Sequence, residues 1–350
     1  MRVRESLIYE HLPSNVVRCK ICPRMCYIKP REKGFCRVRV NDEGKLYLLT
    51  YGALTAMNAD PVEKKPLFHF WPGSKTFSIS SVSCSFRCPW CQNWEISQAG
   101  PWDVGAMEVS PEQVVKLTRR YGCRSISYTY NEPIIWYEFV LDCAKLAKRE
   151  GLPNILVTNG YISSEALEEL SPYIDAANVD IKSFNKQFYR VYCKANLDDV
   201  LKATELMVEM GIHVELTNLI IPGLNDKMDE IEEMAEWILK TLGPNTPTHF
   251  SRFYPLYKMS HLSATPASTL VKAAEVARKI GLHYVYVGNI PGHSGENTYC
   301  PTCHEQLIGR CGFAITKWNL TNEMRCPKCC ELIPIKGKYE ERGTSFPRIF

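Results

Sequence analysis

The chain has 350 residues, 45% of them hydrophobic and 23% charged, the composition of an ordinary globular protein and not of a disordered one. A net charge of +4 is too mild to argue nucleic-acid binding by itself, and the length allows one large domain with appendages or two domains. The stretch from Met1 to Pro13 carries charges at Arg2, Arg4 and Glu5 and no long apolar run, so it resembles neither a signal peptide nor a membrane span, and a cytoplasmic protein without membrane partners is expected. In that setting 16 cysteines, most of them in C-x2-C-type clusters, read as metal ligands and not as disulfides.

The first 75 residues read as a cysteine-rich lobe. Cys19, Cys22, Cys26 and Cys36 stand in the pattern C-x2-C-x3-C-x9-C. The surrounding segment is rich in Pro, Lys and Arg and offers little apolar core for four idle thiols, so a metal site is expected there; four reduced cysteines in a small basic lobe are the alternative. Spacing does not separate zinc from an iron–sulfur cluster. Residues 37–54 alternate as a hairpin around Asn41 to Gly44. In Pro61 to Gly73, residues Glu63, Lys64, Lys65 and His69 are able to line a site, and a solvated linker packed by Phe68, Phe70 and Trp71 explains them as well.

From Thr76 to residue 291 short β-branched runs alternate with amphipathic ones. Strands are predicted at 76–82, 125–130, 155–159, 176–182, 213–221, 248–254 and 283–289, and helices at 110–121, 134–150, 163–171, 197–210, 226–242 and 266–280. Ser110-Pro111 supplies an N-cap and a proline at the first helical position, and glycines follow five of the helices as stops. Six strand–helix units and a closing strand argue an α/β fold with a parallel sheet, short of the eight units of a full barrel. Cys143 lies on an apolar helix face and reads as a buried core thiol.

Directly after the first of these strands, Cys84, Cys88 and Cys91 form C-x3-C-x2-C with Trp90 before the last cysteine. At 16 cysteines in 350 residues chance yields this pattern roughly 0.03 times per chain. Three thiolates so close together suit a soft metal centre, either an iron–sulfur cluster with one iron left open or zinc; catalytic zinc more often takes histidine or carboxylate, and no histidine lies between His69 and His213. Polar residues stand at the C-terminal strand ends, where barrels of this kind collect ligands: Glu132 in Tyr130-Asn131-Glu132-Pro133, Thr158 and Asn159 before Gly160, and Asp180 and Lys182, whose spacing puts them on one side of a strand. Each has an alternative reading as a cap or turn residue. Arg252 and Tyr254 share a side near the same mouth.

Residues 292–335 hold Cys300-x2-Cys303 and Cys326-x2-Cys329, separated by 22 residues, the paired knuckles of a zinc-ribbon or rubredoxin-like module for zinc or a single iron. The tail 336–350 is polar and reads either as a strap anchored by Phe346 and Phe350 or as a disordered segment.

C-S-F-R-C-P-W-C resembles the signature of the radical S-adenosylmethionine (SAM) superfamily. That resemblance implies a partial (β/α)6 barrel, a 4Fe-4S cluster on Cys84, Cys88 and Cys91, and SAM chelated by the fourth iron. One-electron reduction of the sulfonium would then release a 5′-deoxyadenosyl radical that abstracts hydrogen from a substrate. It places Trp90 near the adenine, Glu132 on the methionine ammonium, Thr158 and Asn159 on the methionine or ribose, and Lys182, paired with Asp180, on the carboxylate. Together with P-V-E-K-K-P-L-F-H-F, T-Y-N-E-P, V-T-N-G, D-I-K, I-P-G-L-N-D and C-P-T-C, the chain resembles the radical SAM member of the AmmeMemoRadiSam system. This implies an unidentified substrate, a macromolecule among the options, a reductant such as ferredoxin or flavodoxin, and a functional link to Memo-like and AMMECR-domain proteins. The alternative is a glycyl-radical-enzyme activase; there an Asp commonly precedes T-N-G, where this chain has Val157, and no ferredoxin-like cysteine insert follows Cys91. A non-enzymatic alternative is a metal-cluster scaffold that binds nucleic acid through its cysteine-rich ends.

Overall fold

The computed structural model describes residues 2–341, so Phe346 and Phe350 lie outside the described residues. Its central sheet has eight strands: β1 (Ala56–Pro61), β2 (Lys75–Ser80), β3 (Ser125–Tyr128), β4 (Asn154–Thr158), β5 (Ala176–Asp180), β6 (His213–Ile220), β7 (Thr248–Arg252) and β8 (Val285–Gly288), hydrogen-bonded in chain order. β2 through β8 are parallel, and β1 pairs antiparallel with β2. A helix follows each of β2 to β7: α1 (Pro111–Arg120), α2 (Tyr137–Arg149), α3 (Ser164–Leu170), α4 (Leu197–Glu209), α5 (Met228–Trp237) and α6 (Ala267–Ile280). The strand–helix alternation is therefore the one its periodicity predicts.

The predicted boundaries have local causes in the structure. Ser110 and Gln113 form a reciprocal capping box at the start of α1, and Gly122 ends the same helix at φ 62. Cys143 is fully buried on α2 with Phe139 and Val140. β1 is the element that the periodicity missed. Its sequence, Ala-Met-Asn-Ala-Asp-Pro, has no β-branched residue and ends in proline, which an edge strand tolerates.

The N-terminal lobe shares one continuous core with the central sheet and its helices, since Ile8, Val17, Ile28, Val38 and Leu48 cluster with their side chains. Its hairpin of Arg39–Asp42 and Lys45–Tyr51 turns at Glu43 and Gly44, both at positive φ, which is the tight turn expected from Asp-Glu-Gly. Arg39 from this hairpin is buried and makes two 2.9 Å bonds to the Glu138 carboxylate on α2. A bidentate pair of this kind fixes orientation, and removing either partner would leave an uncompensated buried charge.

Residues 61–73 are not a solvated linker. Val62, Glu63, Lys65, Leu67, Phe68, His69 and Phe70 are buried, and the segment closes the end of the sheet opposite the cysteine loop. There the Glu215 carboxylate of β6 accepts hydrogen bonds from Phe68 N at 2.9 Å and His69 N at 2.7 Å, and meets His213 and His249 at 3.1 and 2.7 Å. Burial by itself would raise this carboxyl, but the bonds from His213 and His249 hold it well below the usual range. Glu63 accepts from Gly73 N, and Lys64 and Lys65 both pair with Asp60.

The C-terminal module docks at this same end. Its short sheet of Thr298–Tyr299, Gln306–Cys311 and Ala314–Trp318 packs Leu307 and Ile308 against Phe68, Tyr284 and Tyr286 of the main body. Arg310 is buried over the Phe68 ring and donates to Phe68 O. Beyond it Lys336 N donates to His69 O and Tyr339 stacks on Trp318, so the chain runs as a strap as far as residue 341. Among the described residues no helix is long and apolar enough to cross a membrane.

Glu215 gives the first test. Glu215→Ala would strand two backbone N–H groups and two imidazoles in a dry interior, and the expected cost is about 3–5 kcal/mol in urea unfolding. A loss under about 1 kcal/mol would show that these donors find other partners.

Candidate functional site

The cysteine loop leaves β2 at Ser81 and has no regular secondary structure until the short helix Trp94–Ser97. Its backbone is held from outside. Asn131, just past β3, accepts from Ser81 N at 3.1 Å and donates to Ser83 O at 3.0 Å. Arg87 donates to the carbonyls of Cys84 and Phe86 and to Phe35 O in the N-terminal lobe, and Arg87 N donates to Cys193 O. Arg24 of the lobe donates to Ser85 O at 3.2 Å. Lys258 N, after β7, donates to Pro89 O at 3.1 Å.

The three thiols of the loop are buried or half-buried. The Cys84 sulfur accepts from Phe86 N at 3.3 Å and Asn159 Nδ2 at 3.7 Å, and Cys91 lies 3.0 Å from Ser97 Oγ. Among the described residues, Cys300, Cys303, Cys326 and Cys329 are the only group of three or more such ligand atoms within 4.8 Å of one another. Sulfurs on one tetrahedral ion stand about 3.8 Å apart. Cys84, Cys88 and Cys91 are therefore spread wider than a single ion wants, and an all-thiol donor set with N–H bonds to sulfur suits an iron–sulfur cluster.

Glu132 occupies a different role from a free ligand. It is buried, caps the turn after it by accepting from Ile134 N at 3.1 Å, and accepts from Thr158 Oγ1 and Asn159 N, both at 2.8 Å. The cap reading and the pocket reading thus meet in one side chain, which ties β3 to β4 and leaves one of its roughly four lone-pair sites over. Burial raises its carboxyl to about 7, against the bonds from Asn159 N, Thr158 and Ile134 N. Asn159 then bridges outward, donating to the Cys84 sulfur and to Ser85 Oγ at 3.1 Å.

Lys182 and Asp180 form an ion pair at 2.7 Å, as their alternation predicts. Burial opposes the Lys182 ammonium, but the Asp180 carboxylate holds its pKa above the usual lysine value. A contact to Cys193 and burial raise the Cys88 thiol, and burial raises that of Cys91; the Lys182 ammonium opposes both shifts. Trp90 is buried against Phe188 at 5.2 Å and Tyr192 at 6.2 Å between ring centres. Arg252 and Tyr254 are spent on structure, bonding to Thr265 O and Asn289 O.

Several residues escaped the sequence reading. Asn131 sits beside Glu132 in the same motif but is the one that grips the loop. Asn225 of I-P-G-L-N-D donates to Lys182 O at 2.7 Å and accepts from Ile221 N, which fixes the backbone of Lys182. Cys193 lies 3.9 Å, sulfur to sulfur, from Cys88. Asn131 lies in T-Y-N-E-P and Asn225 in I-P-G-L-N-D, but only the tertiary structure separates their roles from those of their neighbours.

The other cysteine groups lie apart. The C-terminal four bring Cys300 to 3.4 Å from Cys329 and Cys303 to 3.5 Å from Cys326, the spacing of one tetrahedral ion. Cys19, Cys22, Cys26 and Cys36 line one cavity beside Ser85.

The sequence profile of the radical SAM superfamily matches residues 78–238. An uncharacterized protein of Methanocaldococcus jannaschii is 47% identical over 334 residues, which span 95% of this chain and 99% of that protein. The pyruvate formate-lyase-activating enzyme of Clostridium pasteurianum is 29% identical over 177 residues, 48% of this chain and 70% of the enzyme. Among solved structures, a radical SAM methyltransferase from Sphaerobacter thermophilus shares the fold with a TM-score of 0.50 at 16% identity, covering 65% of this chain and 71% of that one.

Glu132 carries a pH signature. Its folded pKa lies above the unfolded value of 4.5, so its contribution to stability is complete below pH 4.5 and is lost as pH rises through about 7. Metal-free protein should lose up to about 1.4 kcal/mol of unfolding free energy per pH unit in that window. Glu132→Gln should flatten this slope, and an unchanged slope would assign the titration to another group.

Proposed function

Since this chain belongs to the radical SAM superfamily and is an enzyme of that class, we propose that Cys84, Cys88 and Cys91 hold a 4Fe-4S cluster at which SAM is reductively cleaved, and that the enzyme removes a hydrogen atom from an unidentified substrate. Such a cluster, held by Cys84, Cys88 and Cys91, would supply the single electron for reductive cleavage of a SAM C–S bond. The protein's part is to hold and orient. Asn159 fixes the Cys84 sulfur and Ser85 while its own backbone is fixed by Glu132. Lys182, aligned by Asp180 and Asn225, presents an ammonium to a carboxylate, and the spare acceptor site of Glu132 suits an ammonium. Trp90, with Phe188 and Tyr192, forms an aromatic wall suited to adenine.

The observation that carries this reading is the convergence of the β3 and β4 ends on one cysteine loop: Asn131 on its backbone and Asn159 on its first thiol. In finer detail, the reading is that of the AmmeMemoRadiSam radical SAM member, with a reductant such as ferredoxin or flavodoxin and a functional link to Memo-like and AMMECR-domain proteins. A second reading, a glycyl-radical-enzyme activase, is favoured by the similarity to the Clostridium enzyme. That similarity spans 48% of this chain, and Val157 stands where activases commonly carry Asp.

For the C-terminal knuckles the reading is structural zinc on Cys300, Cys303, Cys326 and Cys329, with single iron second, because four gathered thiolates leave no position for substrate. Cys326→Ala should lose one metal ion per chain and keep the sulfide content. Retention of that ion would move the site elsewhere.

Reduced, reconstituted protein should form 5′-deoxyadenosine from SAM, and Cys88→Ala should abolish it. Lys182→Ala should keep its iron and weaken SAM binding roughly ten- to hundredfold. Undiminished cleavage in Cys88→Ala would overturn the cluster assignment. No cleavage by the intact protein, where a control enzyme cleaves, would favour the nucleic-acid scaffold.

A further inference from the structure

The two peripheral cysteine groups differ in a way that their spacing in sequence hides. The C-terminal four already stand as one tetrahedral ion requires, within 4.8 Å of one another. No three of Cys19, Cys22, Cys26 and Cys36 meet that spacing, although all four line the same cavity. Four soft ligands around one hollow, with no three of them within 4.8 Å of one another, are spread wider than one ion holds them and suit a multi-atom occupant bound by four thiolates.

The hollow is built, not incidental. Cys19 N donates to Cys26 O at 2.9 Å, and Met25, at φ 48, turns the chain back so that its N–H reaches Cys22 O at 3.1 Å. Ser163 N, the cap of α3, donates to Ile21 O, which pins this knuckle to the barrel. The cavity wall also includes Ser85, the neighbour of Cys84, and Arg39, whose guanidinium stands against the thiols. Ser83 Oγ donates to Cys36 O and Arg24 to Ser85 O, so the knuckle and the cysteine loop are fastened to each other.

We propose that Cys19, Cys22, Cys26 and Cys36 bind a second, fully ligated iron–sulfur cluster of the 4Fe-4S class, seated against the loop that carries Cys84. With all four irons bound to protein, this centre has no open position for SAM, and its place beside Ser85 lets it brace the loop. The assignment stands on the lobe's own geometry and does not depend on SAM chemistry at Cys84, Cys88 and Cys91.

The test is a count of metals and sulfide in anaerobically reconstituted full-length protein. With Cys84, Cys88 and Cys91 all replaced by Ala, the chain should retain about four irons and four sulfides, beyond the single ion of the C-terminal knuckles, with the Mössbauer spectrum of a cluster whose iron sites are all sulfur-ligated. Added SAM should leave that spectrum unchanged. Cys22→Ser or Cys26→Ser in the otherwise native chain should halve the iron and sulfide of the intact protein. Sulfide-free triple variant carrying a second zinc ion, or carrying no metal in the lobe, would overturn the proposal. So would full iron and sulfide in folded Cys22→Ser and Cys26→Ser. If those single variants fail to fold, the triple variant still decides.

Discussion

A loop without secondary structure must find partners for its polar backbone elsewhere, and the chain from Ser81 to Cys91 is such a loop. It is gripped by Asn131 at the end of β3, by Asn159 at the end of β4, by Arg24 of the N-terminal lobe and by the backbone after β7. Arg87, from within the loop, returns the grip by reaching Phe35 of the lobe. The positions of three thiols therefore depend on four separate stretches of chain. This explains why the lobe shares the barrel core instead of forming its own, and why a buried Arg39–Glu138 pair locks the two together.

The opposite end of the sheet is organised around stability. Glu215, His249, Tyr286 and Arg310 form a buried polar cluster over which residues 61–73 and the C-terminal module close. Networks of this kind are costly if any member is left unpaired, which makes them rigid. The separation is that of parallel α/β proteins, in which C-terminal strand ends carry ligands and N-terminal ends carry the fold. It also places the C-terminal cysteine knuckles at the end of the sheet opposite the cysteine loop.

The strand–helix alternation was legible because its signals are local. Period, caps and stops all lie within a few residues of the features they announce. β1 was not legible, because Ala-Met-Asn-Ala-Asp-Pro lacks β-branched residues and is made a strand by the neighbour it pairs with. The burial of residues 61–73 was hidden for a similar reason: Lys65 and Glu63 look solvated until Asp60 and Gly73 are brought to them. Glu132 was singled out from its motif as a site residue, and its carboxylate is largely occupied by Thr158, Asn159 and Ile134, while the adjacent Asn131 does the gripping. Such divisions of labour between neighbours belong to tertiary contacts more than 25 residues apart in sequence.

The central claim is that three thiols of this loop leave one iron open at the mouth where Glu132, Asn159 and Lys182 converge. The most direct measurement is the electron paramagnetic resonance spectrum of the reduced, reconstituted protein with and without SAM, taken in a variant lacking the N-terminal cysteines so that a single cluster is observed. The account predicts a changed spectrum, saturating near one SAM per chain. A cluster signal that is identical with and without SAM would contradict it.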